Sequence, residues 1–273
     1  MLMRPLEKTA MRLILDGIVS LSVLLAASFL ALAITAAARP APVELSVAAA
    51  ADLSSALKEI AASYEQRTGV RLRLSFGASG MLTQELQNGA PFDVFLSADM
   101  DYPRQLIAAR LAEDNSLVQY ARGKLVLWIP SDSRLDLEHQ GMTALLDPSV
   151  KNIAIANPQH APYGRAAIAA LKHSGLYDRI KDRLVMGENV AQAAQFVESG
   201  NAQAGFVALA RARALDLSGK GKYWEVPAEN YPPLDQGAVI LTRSQHKREA
   251  LDFLRYLASS QALELLRKFG FAK

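Results

Sequence analysis

From about Val43 onward, apolar and polar positions switch repeatedly between two periods, and the order of the switches predicts the architecture. Residues 43–50, VELSVAAA, form an apolar run that reads as a buried strand. In 52–69, DLSSALKEIAASYEQRTG, the positions Leu53, Ala56, Leu57, Ile60, Ala61 and Tyr64 recur at three and four, which is one face of a helix. Asp52 stands where an N-cap belongs and Gly69 where a helix stops. VRLRLSF, 70–76, alternates with period two, Val70, Leu72, Leu74 and Phe76 sharing one side. A helix from Met81 ends before NGAP, and FDVFLSA, 92–98, reads as a short buried strand. This βαβαβ order predicts a largely parallel sheet with helices on both faces.

A second series begins at KLVLWIP, 124–130, and continues through a strand NIAIANP, a helix GRAAIAALKHSG, a strand near RLVMG, a helix VAQAAQFVESG and a strand AGFVALA. KYWEVPAENYPPLDQ, 222–236, is polar, aromatic and proline-bearing, and reads as a return passage; GAVILT is one more apolar strand. The C-terminal segment from Lys247 is helical, with a break expected at Ser259 and Ser260. Two α/β domains follow from the two series: 39–120 plus 234–273, and 121–233.

The N-terminus departs from this pattern. Arg4, Lys8 and Arg12 precede an apolar run over 17–34, and small residues follow at 35–38. Basic, apolar and small residues in that order predict a secretory signal peptide over 1–38, cleaved near Ala38. The run is also long enough for an uncleaved anchor. Removal of 1–38 leaves 235 of the 273 residues and takes away three basic and two acidic side chains (Arg4, Lys8, Arg12; Glu7, Asp16), so 30 against 27 becomes 27 against 25. So small an excess points to neither nucleic acid nor a membrane surface. The chain has no cysteine, so an exported fold must rest on its core rather than on disulfides. Cysteine metal sites are excluded, and His139, His160, His173 and His246 show no metal-ligand spacing.

In open α/β sheets ligands bind beyond the carboxyl ends of strands, where helices begin. Four junctions fit: Ala51-Asp52, Ala78-Ser79-Gly80, HAPYG at 160–164, and Glu188-Asn189-Val190. Helix starts carry unpaired N–H groups and about half a positive charge, and several of them converging would make a pocket of donors for a small anion. Lysine is absent from all four junctions and arginine enters only at Arg165. Mainly neutral donors suit a fully ionised oxyanion, which only accepts hydrogen bonds. Each residue also has a plainer structural reading: Ser79 and Asp52 as caps, Tyr163 as turn packing, Val190 as core, His160 as a loop brace.

AAAADLSSAL, SFGASGMLTQELQNGAPFDVFLSAD, NPQHAPYGRAA and ENVAQAAQFVESGNAQAGFVAL together closely resemble the periplasmic molybdate-binding proteins of ABC importers, in order, from about Val43 to the C-terminal FGF. The resemblance implies an α/β two-domain periplasmic-binding-protein fold of type II, each domain a mostly parallel sheet flanked by helices, with the ligand cleft between domains. It implies molybdate or tungstate held by serine hydroxyls and backbone amides, with no cofactor and no metal-cation ligands. It also implies a periplasmic monomer that hands its anion to the membrane permease of an ABC importer. By position, Ser79 matches a ligand serine, while Tyr163 and Val190 match ligand positions that act through backbone amides. Two positions depart: Asp52 stands where a hydroxyl residue is common, and Ala208 where some members carry a ligand tyrosine. Asp52 is expected to cap its own helix while its N–H faces the anion, and the Tyr163 phenol to stand in for the missing tyrosine. Rival readings are a binding protein for sulfate, phosphate or an organic anion, and a serine hydrolase. The hydrolase reading needs Gly-x-Ser-x-Gly, whereas Ser79 is followed directly by Gly80 and Met81.

Overall fold

The computed structural model describes Met11, residues 43–216 and residues 219–273. The signal-peptide reading of 1–38 and its cleavage near Ala38 therefore lie outside the described residues, Met11 apart. From Val43 to Lys273 the chain builds one compact unit containing two five-stranded sheets.

The first sheet has the order β2-β1-β3-β10-β4, with β1 Glu44–Ala50, β2 Arg71–Gly77, β3 Val94–Ser97, β4 Val118–Gly123 and β10 Leu234–Ile240. The second has the order β7-β6-β8-β5-β9, with β5 Leu125–Pro130, β6 Ile153–Ala156, β7 Leu184–Gly187, β8 Ala204–Ala208 and β9 Gly221–Glu225. In each sheet four strands point the same way, three of them paired parallel as the βαβ order predicts, and a single strand, β10 or β5, runs against both its neighbours. The reversed strand is in each case the one that has just crossed from the other sheet. Lys124 alone separates β4 from β5, and residues 226–233 separate β9 from β10. A strand that enters a sheet from the neighbouring lobe has no crossover helix to reverse it, so it runs against its partner.

The alternation of Val70, Leu72, Leu74 and Phe76 does produce β2, which packs on helix α1, Ser54–Thr68. That helix ends where Gly69 turns left-handed, φ 74°, a conformation glycine adopts without strain. The break at Ser259 is also observed. Helices α9, Lys247–Leu257, and α10, Ser260–Lys268, are separate, and the Ser259 hydroxyl caps the second by accepting from Ala262 N–H. Part of the expected return passage is instead strand β9, whose Tyr223 and Trp224 pair with Trp128 and Leu127 of β5.

Beneath each sheet lies its own apolar core. The second lobe's core gathers Trp128, Ile155, Phe206 and their neighbours, and it extends to Ala50, Ala51, Ala78 and Ala98 at the strand ends of the first lobe. Small side chains at those four positions let the two lobes approach at the level of the strand termini, which is where the four sequence junctions lie.

Candidate functional site

All four junctions open into one cavity. Asp52, Ser79, Tyr163 and Val190 line it together with Ala50, Ala51, Ala78 and Ala98 from the first lobe and Ala161, Pro162 and Asn189 from the second. Together with the open solvent at its mouth the space amounts to about 200 Å³. Among these residues there is no lysine, arginine or histidine, and Asp52 is the only one with a formal charge.

Ser79 is the first residue of helix α2, Ser79–Gln87, and is 1% exposed. Its hydroxyl accepts a hydrogen bond from Ala98 N–H at 3.0 Å, which leaves the hydroxyl proton to be donated. The next N–H along, that of Gly80, is already used: it donates to His160 O across the lobe boundary at 2.8 Å. A side chain at Gly80 would run into Tyr102 Oη and that same carbonyl, so the close approach of the lobes requires glycine here.

On the second lobe, helix α5, Pro162–His173, starts with proline, which has no N–H to orphan. Tyr163 N–H is thus its first donor. Helix α7, Val190–Glu198, is capped by Asn189, whose Oδ1 accepts from Ala191 N–H and Gln192 N–H. The cap satisfies the second and third amides and leaves the first, Val190 N–H, without a protein partner among the described residues. Two helix starts on this lobe therefore face a third across the cavity.

Asp52 differs from its expected role. It does not cap the helix: it sits within a 3-10 turn, Ala51–Leu53, that precedes α1, and no side chain caps either start. Its Oδ2 instead accepts from Gln236 Nε2 on β10, because the tight turn points the carboxylate across the sheet rather than along the helix. Gln236 is fixed in turn. A β-bulge in the β4–β10 ladder lies between Gln236 and Gly237, and Tyr120, the extra residue on β4, donates to Gln236 Oε1 at 2.8 Å. Burial raises the Asp52 pKa from 3.8 to about 6, partly offset by Gln236, by the nearby Tyr163 phenol and by the turn's own N–H groups. Burial and the Asp52 charge push the Tyr163 phenol well above its usual range.

The Tyr163 phenol is not where the sequence places it. Its oxygen is fully buried against the Cα of Gly123 and the Gln236 amide, at the strand that crosses between lobes. Neither that oxygen nor Asp52 Oδ1 has a partner at hydrogen-bonding geometry. Arg165 also faces away from the cavity. Its guanidinium reaches across the lobes to Asp99 Oδ2 at 2.5 Å and to Tyr102 Oη at 3.2 Å. Sequence reading passes over Gln236, Tyr120, Asp99 and Tyr102, since each matters through a partner more than 20 positions away. A polar residue on the buried side of a largely apolar strand, as Gln236 is, was the available signal.

Comparison with known proteins adds four findings. Residues 45–272 match the family described as bacterial extracellular solute-binding protein. The molybdate-binding protein ModA of Azotobacter vinelandii is 40% identical over 228 residues, 84% of this chain and 89% of that protein. That of Rhodobacter capsulatus is 37% identical over 245 residues, 90% and 94% respectively. A solved structure of the Azotobacter vinelandii periplasmic molybdate-binding protein superposes with a TM-score of 0.78 at 35% identity, covering 84% of this chain and 99% of that one.

Proposed function

The chain belongs to the bacterial extracellular solute-binding proteins, and from that membership and the chemistry of its cavity we propose that it captures molybdate or tungstate and delivers it to an ABC importer. The observation that carries the reading is the convergence of helix starts from both lobes, with the Ser79 hydroxyl, on one small cavity that lacks any cationic side chain. Such donors hold an oxyanion by charge-assisted hydrogen bonds and helix dipoles. They suit an anion that only accepts hydrogen bonds, with the Asp52 carboxylate the one charged acceptor in the lining.

In this reading Ser79 supplies its hydroxyl and N–H, and Tyr163 and Val190 supply their N–H groups. Gln236 fixes the Asp52 carboxylate in the cavity wall beside them. The lobes, 39–120 plus 234–273 and 121–233 apart from residues 121–123, which β4 carries into the first, close on the anion by bending at Lys124 and within 226–233. The protein acts in the periplasm as a monomer, exported by its first 38 residues, with the importer's permease recognising the closed form. No catalytic step and no cofactor enter this account. Similarity to solute-binding relatives supports a binding role, and no imidazole lines the cavity beside Ser79 among the described residues, so the hydrolase alternative lacks a base.

Titration calorimetry with molybdate, tungstate, sulfate and phosphate in one buffer tests the proposal. Saturable one-to-one binding of the first two, with phosphate weak or silent, is expected. Tight phosphate or sulfate binding with no response to molybdate would replace the ligand, and esterase turnover dependent on Ser79 would replace the function.

A further inference from the structure

We propose that Asp52 meets the anion as a carboxylic acid, so that capture by this chain takes up one proton from solvent. The inference rests on the oxyanion reading of the cavity and concerns what the only charged group in that cavity does when a dianion enters. Asp52 is 3% exposed, and its turn forms one wall of the cavity. Oδ2 is occupied by Gln236 Nε2, whereas Oδ1 is buried and has no hydrogen-bond partner. An ionised carboxylate beside a dianion in a water-poor cavity is repulsive, and no cation lines the space to offset it. Adding a proton at Oδ1 removes the repulsion and converts the one unpartnered carboxylate oxygen in the wall into a donor. That donor can reach either the anion or the Tyr163 phenol oxygen, which is also unpartnered.

The surroundings leave the proton no better host. Tyr163 from α5 and Tyr120 from β4 are phenols whose pKa burial raises, so they stay neutral throughout. Asp99, the other carboxylate whose charge acts on Tyr120, is held by Arg165. The helices packed on the Asp52 turn are α1, α7 and the one over Leu209–Asp216. Glu198 of α7 is paired with Arg211 at 2.7 Å, Arg213 is directed to the Arg267 carbonyl, and Glu59 of α1 pairs with Lys268, while Lys58 is exposed. Burial has already raised the Asp52 pKa to about 6 in the ligand-free site, where the group is still ionised near pH 7.5, and a neighbouring dianion moves it further in the same direction.

Linkage turns this into a measurable slope. If binding takes up one proton, Kd rises by up to tenfold for each pH unit above the free carboxyl's titration. The test is calorimetry of tungstate and molybdate binding from pH 6 to 8.5, a range over which both free anions stay dianions, in buffers of different ionisation enthalpy. The wild-type protein should take up close to one proton near pH 7.5, with Kd rising tenfold or more across the range. Asp52→Asn should show a flat Kd and no buffer dependence. A flat wild-type Kd without proton uptake would overturn the inference while leaving the oxyanion reading intact. Persistence of the proton uptake in Asp52→Asn would overturn it too, by assigning the proton elsewhere. Absence of binding to either anion at any pH would remove the oxyanion reading itself. The proton count is read on the wild-type protein, so the outcome stands whether or not the variant folds.

Discussion

Ser79 combines two tasks in one side chain: it accepts from Ala98 N–H, tying α2 to the end of β3, and has its proton left to give. Ser79→Ala should weaken anion binding by about 1.5–3 kcal/mol, the usual worth of a hydrogen bond to a charged group, measured as a 10- to 100-fold rise in Kd with the fold intact by circular dichroism. Asp52 makes a prediction on the ligand-free protein. Its pKa is raised from 3.8 to about 6, so the folded state holds a proton that the unfolded chain has released. Stability therefore falls as pH rises through that window, and the cost, at most about 3 kcal/mol, is fully present at neutral pH. Asp52→Asn should raise the free energy of urea unfolding by about 1–3 kcal/mol at pH 7.5 and by nothing at pH 4. A gain equal at both values would mean that the effect is packing and not charge. Residue identity was the most legible scale in the sequence: Ser79 and Val190 are at the helix starts where their neighbours predict them. What could not be read was direction. Whether the Asp52 carboxylate follows its helix or crosses to Gln236, 184 positions away, depends on a 3-10 turn and a bulge that leave no periodic trace.

The helices and strands place these residues through a few cross-lobe contacts. Gly80 N–H and Tyr102 Oη both reach His160 O, and Arg165 spans from α5 to Asp99 with Tyr102 beneath its guanidinium. This cluster lies beside the cavity rather than in it, so it acts on the closed form and not on the anion directly. Asp99→Asn and Arg165→Gln should each speed anion release a few-fold, about 1 kcal/mol or less given the half-exposed arginine. The double variant should do no more than either single one, as read by stopped-flow dissociation. Independent, additive effects would show that the pair does not act as one latch. The alternation of period two and period 3.6 made most strands and helices legible. It missed β4, β9 and the reversal of strand direction at the crossings, because pairing direction is decided by where the chain comes from and not by the pattern within a strand.

For the molecule as a whole, two sheets joined by Lys124 and by 226–233 provide a small hinge region around a cavity made of strand ends. Under the proposed function, closure about the anion would give the importer one fixed arrangement of both lobes to recognise. Scattering should therefore show a smaller radius of gyration with saturating molybdate, and Gly123→Ala should reduce that compaction, since a Cβ there collides with the Tyr163 phenol. The two-lobe plan was readable from the duplicated α/β series, whereas the sharing of Ala50, Ala51, Ala78 and Ala98 with the second lobe's core was not, because alanine carries no signal of which lobe it faces. The most direct measurement remains the affinity panel: molybdate, tungstate, sulfate and phosphate titrated calorimetrically into the purified protein at one pH near 6.5. Saturable one-to-one binding of molybdate and tungstate, at least a hundredfold tighter than phosphate, is the predicted result. Phosphate or sulfate binding as tightly as molybdate, or no binding by any of the four, would contradict the account.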